Sequence, residues 1–373
     1  MNLKSLLKVS RENFLFWLSR KIDYPLVPPD AVQINFTFDC NLVCKMCSMH
    51  EQKKFLLSRG RQTEIDSAAI KKVIRETKEI GTKTILFIGG EPFLKKDLFD
   101  LIVYAKSFSL NSIIVTNGVL LNQERIKACF ASGVDWLSIS LDAATEDTFR
   151  KIRGENILGT IVKNIELLNQ LKKDMKKESP RISAVCTIMN DNLEELPEVV
   201  NLCKKLGIEK IIFQPVVSNN IDQTRRELDS AGAIPPERFG LMDQMIDKLI
   251  SCKKESIRNF ELIANNTGNL KLIKKYFRGT VKPWDSTCYA GYNRLQIVQE
   301  GKVYFCVSQE GREANFGDIT KDSMKDLWLS REAKSYRKLI RNCKLPCLQW
   351  CSYRDNFIRF AETFQKIYLF KRI

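Results

Sequence analysis

A strand–helix rhythm running from residue 31 to residue 217 constrains this chain more than any other feature. "AVQINFTF" (31–38) alternates apolar and polar positions as a half-buried strand does. Five further segments read as strands: "KTILFIG" (83–89), "NSIIVTN" (111–117), "VDWLSISLD" (134–142), "RISAVCTIM" (181–189) and "EKIIFQPVV" (209–217). Between them, residues 65–80, 95–109, 121–132, 158–175 and 192–206 place apolar side chains at helical spacing. Repeated strand–helix–strand crossovers call for a parallel α/β sheet, because each helix must bury its apolar stripe against the strands. Six such units suit an open, partial (β/α)6 barrel rather than a closed eightfold one. Ligands of parallel α/β folds gather at the carboxyl ends of the strands. Cys40 lies just past the first strand, at that edge.

The rhythm stops near residue 218. "SNNIDQTRRELDSAGAIPPERFG" (218–240) carries the Pro and Gly punctuation of a linker. Two helical runs follow, 236–253 and 257–277, and then "NRLQIVQEGKVYFCVS" (293–308), a hairpin turning at Glu300-Gly301. "SMKDLWLSREAKSYRKLIRN" (323–342) reads as one helix, "CKLPCLQWC" (343–351) as a cysteine-rich loop, and an amphipathic helix closes the chain. The expected organisation is an N-terminal helical extension (1–30), a core (31–217), a linker with a helical insertion (218–284), a small C-terminal domain (285–355) and a last helix (356–373).

No apolar run is long enough to span a bilayer. "MNLKSLLKVSRENFLFWLSRKI" (1–22) has an apolar patch at Phe14 to Leu18 but no small-residue cleavage site, so it does not read as a signal peptide. A helix packing on the body is expected there, with peripheral membrane contact as the alternative, and a cytoplasmic location follows. The net charge of +16 raises the question of a polyanionic partner. The Lys and Arg residues are dispersed, and no compact basic run interleaves with aromatics, so the sequence argues against nucleic acid.

Twelve cysteines against the single His50 shape the chemistry. In a reducing compartment, clustered cysteines point to metal, and near-absence of histidine leaves thiolates to hold it. "CNLVCKMC" (40–47) spaces Cys40, Cys44 and Cys47 as C-x3-C-x2-C. Such a loop can wrap three thiolates around one iron–sulfur cubane and leave the fourth iron open; zinc completed by His50 is the alternative. Cys129, Cys186, Cys203 and Cys252 stand alone and read as small buried hydrophobes.

The loop "CNLVCKMC", followed one β–α unit later by "GGEP" (89–92) and then by "TNG" (116–118) and "SISLDA" (138–143), resembles the radical S-adenosylmethionine (radical SAM) superfamily over about 31–217. The resemblance implies a [4Fe-4S] cluster on Cys40, Cys44 and Cys47, with S-adenosylmethionine on the open iron. Met46 stands where the family usually has an aromatic residue. Gly89, Gly90 and Glu91 are implied to hold the methionine amino group, Asn117 to support it, and Ser140 and Asp142 to face the ribose and methionine. Arg153 is implied to pair the S-adenosylmethionine carboxylate; Val185 or Ile188 would pack on adenine, with core packing alone as the alternative.

Downstream, Cys288 and Cys306 flank Gly301 with the spacing of the hairpin in SPASM and twitch auxiliary-cluster domains, and Cys343, Cys347 and Cys351 follow. A full two-cluster SPASM domain carries seven cysteines, whereas this region has five, which implies one auxiliary [4Fe-4S] cluster. Its expected ligands are Cys288, Cys306 and two of the other three; structural zinc is the alternative. The implied activity is reductive cleavage of S-adenosylmethionine to a 5′-deoxyadenosyl radical, then hydrogen abstraction from a peptide, protein or sugar- or nucleotide-like substrate. The auxiliary cluster would aid oxidation or bind substrate, and flavodoxin or ferredoxin would supply electrons. A basic, non-catalytic iron–sulfur or zinc protein that binds nucleic acid is the competing class.

Overall fold

The structure, a computed structural model, describes residues 3–61, 64–217, 232–256, 261–282, 284–306, 315–343 and 348–349. Cys347, Cys351, most of the 218–240 linker and the closing helix expected at 356–373 lie outside the described residues. The chain opens with helix α1 (Leu3–Ile22). The β/α core follows as β1 (Ala31–Asn35), α2 (Met49–Leu57), α3 (Ser67–Glu79), β2 (Thr84–Ile88), α4 (Leu98–Ser107), β3 (Asn111–Thr116), α5 (Gln123–Ser132) and β4 (Trp136–Ser140). It continues through α6 (Glu146–Arg153), α7 (Leu158–Asp174), β5 (Arg181–Ile188), α8 (Leu196–Lys205) and β6 (Lys210–Pro215). Beyond it come α9 (Phe239–Ser256), α10 (Thr267–Phe277), β7 (Arg294–Ile297), β8 (Val303–Tyr304), α11 (Met324–Leu329) and α12 (Arg331–Arg341).

All six expected strands form and pair in parallel in one unclosed sheet, ordered β6-β5-β4-β3-β2-β1-β7-β8. The parallel pairs bury both faces, which is why β1 is buried along its whole length. Helices enter through side-chain caps: Asp66 accepts from the Ala68 and Ala69 N–H groups to start α3, and Asn122 accepts from Arg125 to start α5. Gly133, at φ 73°, ends α5 in the left-handed conformation that glycine reaches at least cost. Among the described residues, no helix is long and apolar enough to cross a membrane.

Three details depart from the sequence reading. The hairpin turns at Gly301 (φ 74°) as expected, but it extends the core sheet: β7 pairs in parallel with β1, and β8 returns antiparallel. The run 323–342 is two helices, broken at Ser330, whose hydroxyl accepts from Ala333 N–H at 3.0 Å and starts α12. A capping side chain competes with helix continuation at that point. Of the run 257–277, the described residues from 261 onward are helical only from Thr267; Leu262 and Ala264 instead bond the Ile211 backbone, both at 2.9 Å. The physical reason is the edge of the sheet, since β6 exposes unpaired backbone groups that this segment covers. Helices α2 and α6 were not anticipated from periodicity.

The C-terminal part is pinned to the core by polar contacts. The Lys72 ammonium donates to the Ile319 and Asp322 carbonyls at 2.7 and 2.6 Å, and Glu76 accepts from Met324 N–H at 2.8 Å. Arg337 is 1% exposed and donates to the Gly291 and Trp328 carbonyls, with its guanidinium 4.4 Å from the Trp328 ring centroid. Burial lowers its pKa to about 10.

Asn265 closes the β6 edge with its side chain. Its amide accepts from Phe213 N–H and donates to the Phe213 carbonyl, each at 2.7 Å. Asn265→Ala leaves both buried backbone groups without that partner, so a loss of roughly 2–5 kcal/mol is expected in chemical denaturation.

Candidate functional site

The site begins with backbone. After β1 the chain runs beside the exit of β2, where Gly90 N–H donates to the Thr37 carbonyl at 2.8 Å and Glu91 N–H to the Asp39 carbonyl at 2.7 Å. A Cβ on Gly89 (φ 147°) would lie 2.5 Å from the Thr37 carbonyl oxygen, and one on Gly90 would overlap the Asp39 carbonyl. The glycine pair therefore exists for close backbone approach, and what approaches is the stem of the cysteine loop. From the hairpin side, Gln299 donates to the same Thr37 carbonyl at 3.2 Å.

The loop itself is tied on three sides. Lys45 N–H donates to the Ile152 carbonyl at the end of α6 (2.9 Å). Asn117 donates to Asn41 Oδ1 (2.8 Å), with Cys40 Sγ 4.0 Å away. Arg153 Nη1 lies 3.5 Å from Cys44 Sγ. His50 lines the same cavity as the cysteines, but its Nε2 pairs with the Leu42 carbonyl at 2.7 Å.

Cys40, Cys44 and Cys47 open into a cavity of about 300 Å³ at the carboxyl ends of the strands, lined also by Gly89, Gly90, Asn117, Ser140 and Arg153. Glu91 and Asp142, expected to face the ligand, are both fully buried and do not line it. Glu91 accepts from Phe93 N–H, the Thr116 hydroxyl and Asn117 N–H, lashing the glycine turn to β3. Burial raises its pKa, and those donors oppose the rise. Asp142 accepts from Thr187 N–H at 2.7 Å and pairs with Arg153, whose Nε reaches it at 2.7 Å. Burial opposes the Arg153 charge, but Asp142 and Cys44 outweigh it and raise its pKa. Arg153 thus pairs with Asp142 and reaches Cys44 while also lining the cavity.

On β5, Ile188 belongs to the core and Val185 does not line the cavity, whereas Thr187 does. Alternation along a strand puts 187 on the face opposite 188, so that signal was present in the sequence. Gln214 at the end of β6 and Gln349 from the C-terminal segment also line the cavity; sequence reading missed both. Gln349 Nε2 is 3.5 Å from the Pro215 carbonyl. No periodicity could have brought together positions so far apart in the chain.

The donor set fits an iron–sulfur group. Burial pushes the Cys40 thiol up to about 11 and raises Cys47 as well, so these thiolates need a cationic group among them to persist. Among the described residues, no three His, Cys, Asp or Glu side chains converge as a single ion requires. A cubane spreads its ligands over its own width, so three cysteines, with the nearby His50 Nε2 held by a carbonyl, suit it better than zinc. In the C-terminal part, Cys288 and Cys306 pack half-buried against the core, and Cys343 follows the last turn of α12. Arg20 of α1 donates to the Cys288 carbonyl (3.0 Å) and the Arg341 carbonyl (3.4 Å), and Asp23 pairs with Arg341 at 2.7 Å. Cys129, Cys186 and Cys203 are fully buried, as expected of core cysteines, while Cys252 is half-buried.

Two outcomes follow from this geometry. Gly90→Ala forces the cysteine-loop stem off the β2 exit and is expected to destabilise by roughly 3 kcal/mol or more. Gly60→Ala, at φ 63° with nothing within 4 Å of its Cβ, is the control; it is expected to lose only about 1–2 kcal/mol in the same denaturation series. Glu195 anchors the loop after β4 by accepting from Ala144 N–H (2.8 Å), Thr145 N–H (3.0 Å) and the Thr145 hydroxyl. Partial burial raises its pKa, but these bonds outweigh burial and leave it lowered from 4.5. An acid lowered on folding stabilises above its unfolded pKa and loses that contribution as pH falls through the folded value. Glu195→Gln is therefore expected to lower the melting temperature at pH 7, with the gap to wild type shrinking as the pH drops below about 4.5.

Residues 34–203 match the radical SAM superfamily, and residues 288–353 match an iron–sulfur cluster-binding domain, SPASM. The chain is 24% identical over 324 residues to the Fe-coproporphyrin III synthase of Methanosarcina barkeri, covering 79% of this chain and 72% of that one. It is 26% identical over 310 residues to a probable GTP 3′,8-cyclase of Saccharolobus solfataricus, covering 79% and 88%. Its fold is similar to that of Streptococcus suis SuiB bound to precursor peptide SuiA, with TM-score 0.65, 14% identity, and coverage of 93% of this chain and 73% of that one. The half-open parallel sheet, the matched cluster-binding segments and these relatives converge: the chain is an enzyme of the radical SAM superfamily with a C-terminal SPASM domain, using a [4Fe-4S] cluster and S-adenosylmethionine.

Proposed function

We propose that this enzyme abstracts a hydrogen atom from a carbon of a peptide or small-protein substrate and leaves an oxidised product. The observation that carries the reading is the opening of three cysteines of one loop into a cavity at the strand ends. When bound, the reduced cluster with S-adenosylmethionine supplies a 5′-deoxyadenosyl radical, and an auxiliary cluster supplies an electron acceptor.

The chain's own residues bind and orient. Cys40, Cys44 and Cys47 hold the catalytic cluster, and three ligands leave one iron free for S-adenosylmethionine. Gly89 and Gly90 fix the height of that loop, while Asn117 and Ser140 present polar atoms to the same cavity. Arg153 and Asp142 form a buried pair beside Cys44, with Arg153 also lining the cavity where a ligand carboxylate would sit. Cys288 and Cys306, with two of Cys343, Cys347 and Cys351, hold the auxiliary cluster. A flavodoxin or ferredoxin is the electron donor.

Two observations support a peptide. The likeness to SuiB, whose structure holds a precursor peptide, spans 93% of this chain, including the C-terminal part. Gln214 and Gln349 bring two carboxamides, each able to donate and accept, to one cavity. A small-molecule substrate is the second reading, supported by the relatives named Fe-coproporphyrin III synthase and probable GTP 3′,8-cyclase.

Anaerobically reconstituted protein with dithionite is expected to convert S-adenosylmethionine to 5′-deoxyadenosine and to carry about eight irons per chain. Cys40→Ala is expected to abolish that product and reduce iron to about four. Intact S-adenosylmethionine in the presence of a reduced cluster would sink the enzyme reading. For substrate class, peptide and low-mass fractions of the host are compared as stimulants of turnover. A peptide losing two hydrogens is the expected result; stimulation by the low-mass fraction alone favours the second reading.

A further inference from the structure

Helix α1 has two working faces. The inner one is occupied: Phe16 packs on Tyr289 and Tyr292, Ser19 is fully buried, and Arg20 reaches the Cys288 carbonyl. The outer one is not polar, as the back of a packed helix should be. Phe14 and Trp17 are 45% and 43% exposed, and their rings stack with centroids 5.8 Å apart. The Lys21 ammonium sits 5.8 Å from the Trp17 ring centroid. Arg11, Phe14, Trp17 and Lys21 follow at intervals of three, three and four, which places them on one side of the helix. Ile22, Tyr24 and Leu26, each at least 40% exposed, continue the apolar run past the helix end.

Single exposed apolar side chains are ordinary, but a contiguous aromatic run rimmed by cations marks a contact surface. Charge identifies the occupant. Apart from the inward Arg20, residues 1–29 carry Lys4, Lys8, Arg11 and Lys21 against Glu12 and Asp23, and Asp23 is already paired with Arg341. Trp and Tyr favour the level of lipid headgroups, and lysine and arginine lay their stems along apolar surface while their charges meet anionic phosphates.

We propose that the outer face of α1 docks on an anionic membrane surface, with Phe14 and Trp17 at the acyl boundary and Arg11 and Lys21 among the headgroups. The chain does not span the bilayer; it lies on it. The same helix holds the Cys288 carbonyl from its other face, so docking brings the C-terminal part of the enzyme to the lipid.

Flotation of the full-length holoenzyme with phosphatidylcholine vesicles, with and without phosphatidylglycerol, tests this. Binding is expected only to the anionic vesicles, weakening as salt rises. The double variant Phe14→Ser, Trp17→Ser is expected to bind at least about tenfold more weakly. Lys21→Glu is expected to weaken binding too, while Lys204→Glu with Lys205→Glu on α8 leaves it unchanged. Wild-type protein that stays off anionic vesicles overturns the proposal. So does binding lost equally with the α8 variant, which marks general basicity. A wild-type dimer that the Phe14/Trp17 variant dissociates, without vesicle binding, assigns the face to a second copy instead. Circular dichroism and iron content confirm that each variant is folded and loaded.

Discussion

The site depends on a contact between two stretches of backbone. Gly89 to Glu91 lie against Thr37 to Asp39 so closely that no side chain fits between them, and two hydrogen bonds seal the contact. Because the stem of the cysteine loop is fixed there, the positions of Cys40, Cys44 and Cys47 are set by β2 and by β1, which is buried along its whole length. A loop whose stem is bonded to two neighbouring strands keeps its three cysteines at the cavity instead of letting it collapse.

Once the stem is fixed, the buried charges have a mechanical role. Glu91 looks like a ligand-binding carboxylate in the sequence. In the fold its two oxygens are taken by three donors that join the glycine turn to the exit of β3. Asp142 and Arg153 do the same between β4, β5 and the cysteine loop, one accepting from Thr187 and the other reaching Cys44. A buried ion pair of this kind adds little net stability over apolar packing, but losing one partner leaves the other charge stranded. Such pairs hold geometry, which is the requirement of a site that controls a radical.

The strand ends and the cysteines were legible in the sequence because both signals are local. Alternation marks a strand within a few residues, and three cysteines in eight positions announce themselves. What the sequence did not reveal depends on what a segment meets after folding. Residues 261–265 share helical spacing with α10 but go extended because the β6 edge offers unpaired backbone. Ser330 splits one periodic run into two helices because its hydroxyl caps the second. Glu91 and Asp142 read as ligand-facing because residue type is visible in a sequence, whereas their burial and internal partners are not. Gln349 joins the cavity through a contact with the end of β6, more than a hundred positions away in the chain.

The hairpin shows why the two family-matched regions are better regarded as one machine. β7 pairs with β1, the strand that leads into the cysteine loop, and Gln299 at the hairpin end donates to the Thr37 carbonyl that also receives Gly90. A single carbonyl oxygen is therefore shared between the glycine turn of the core and the hairpin flanked by Cys288 and Cys306. Displacing the hairpin strips a bond from the stem of the catalytic loop, and loosening the stem removes a partner from a fully buried glutamine. Buried polar groups that share an acceptor are coupled, since each is costly to leave unsatisfied. The cysteines of both regions are in this way referred to the same strand, β1, which lies between β2 of the core and β7 of the hairpin.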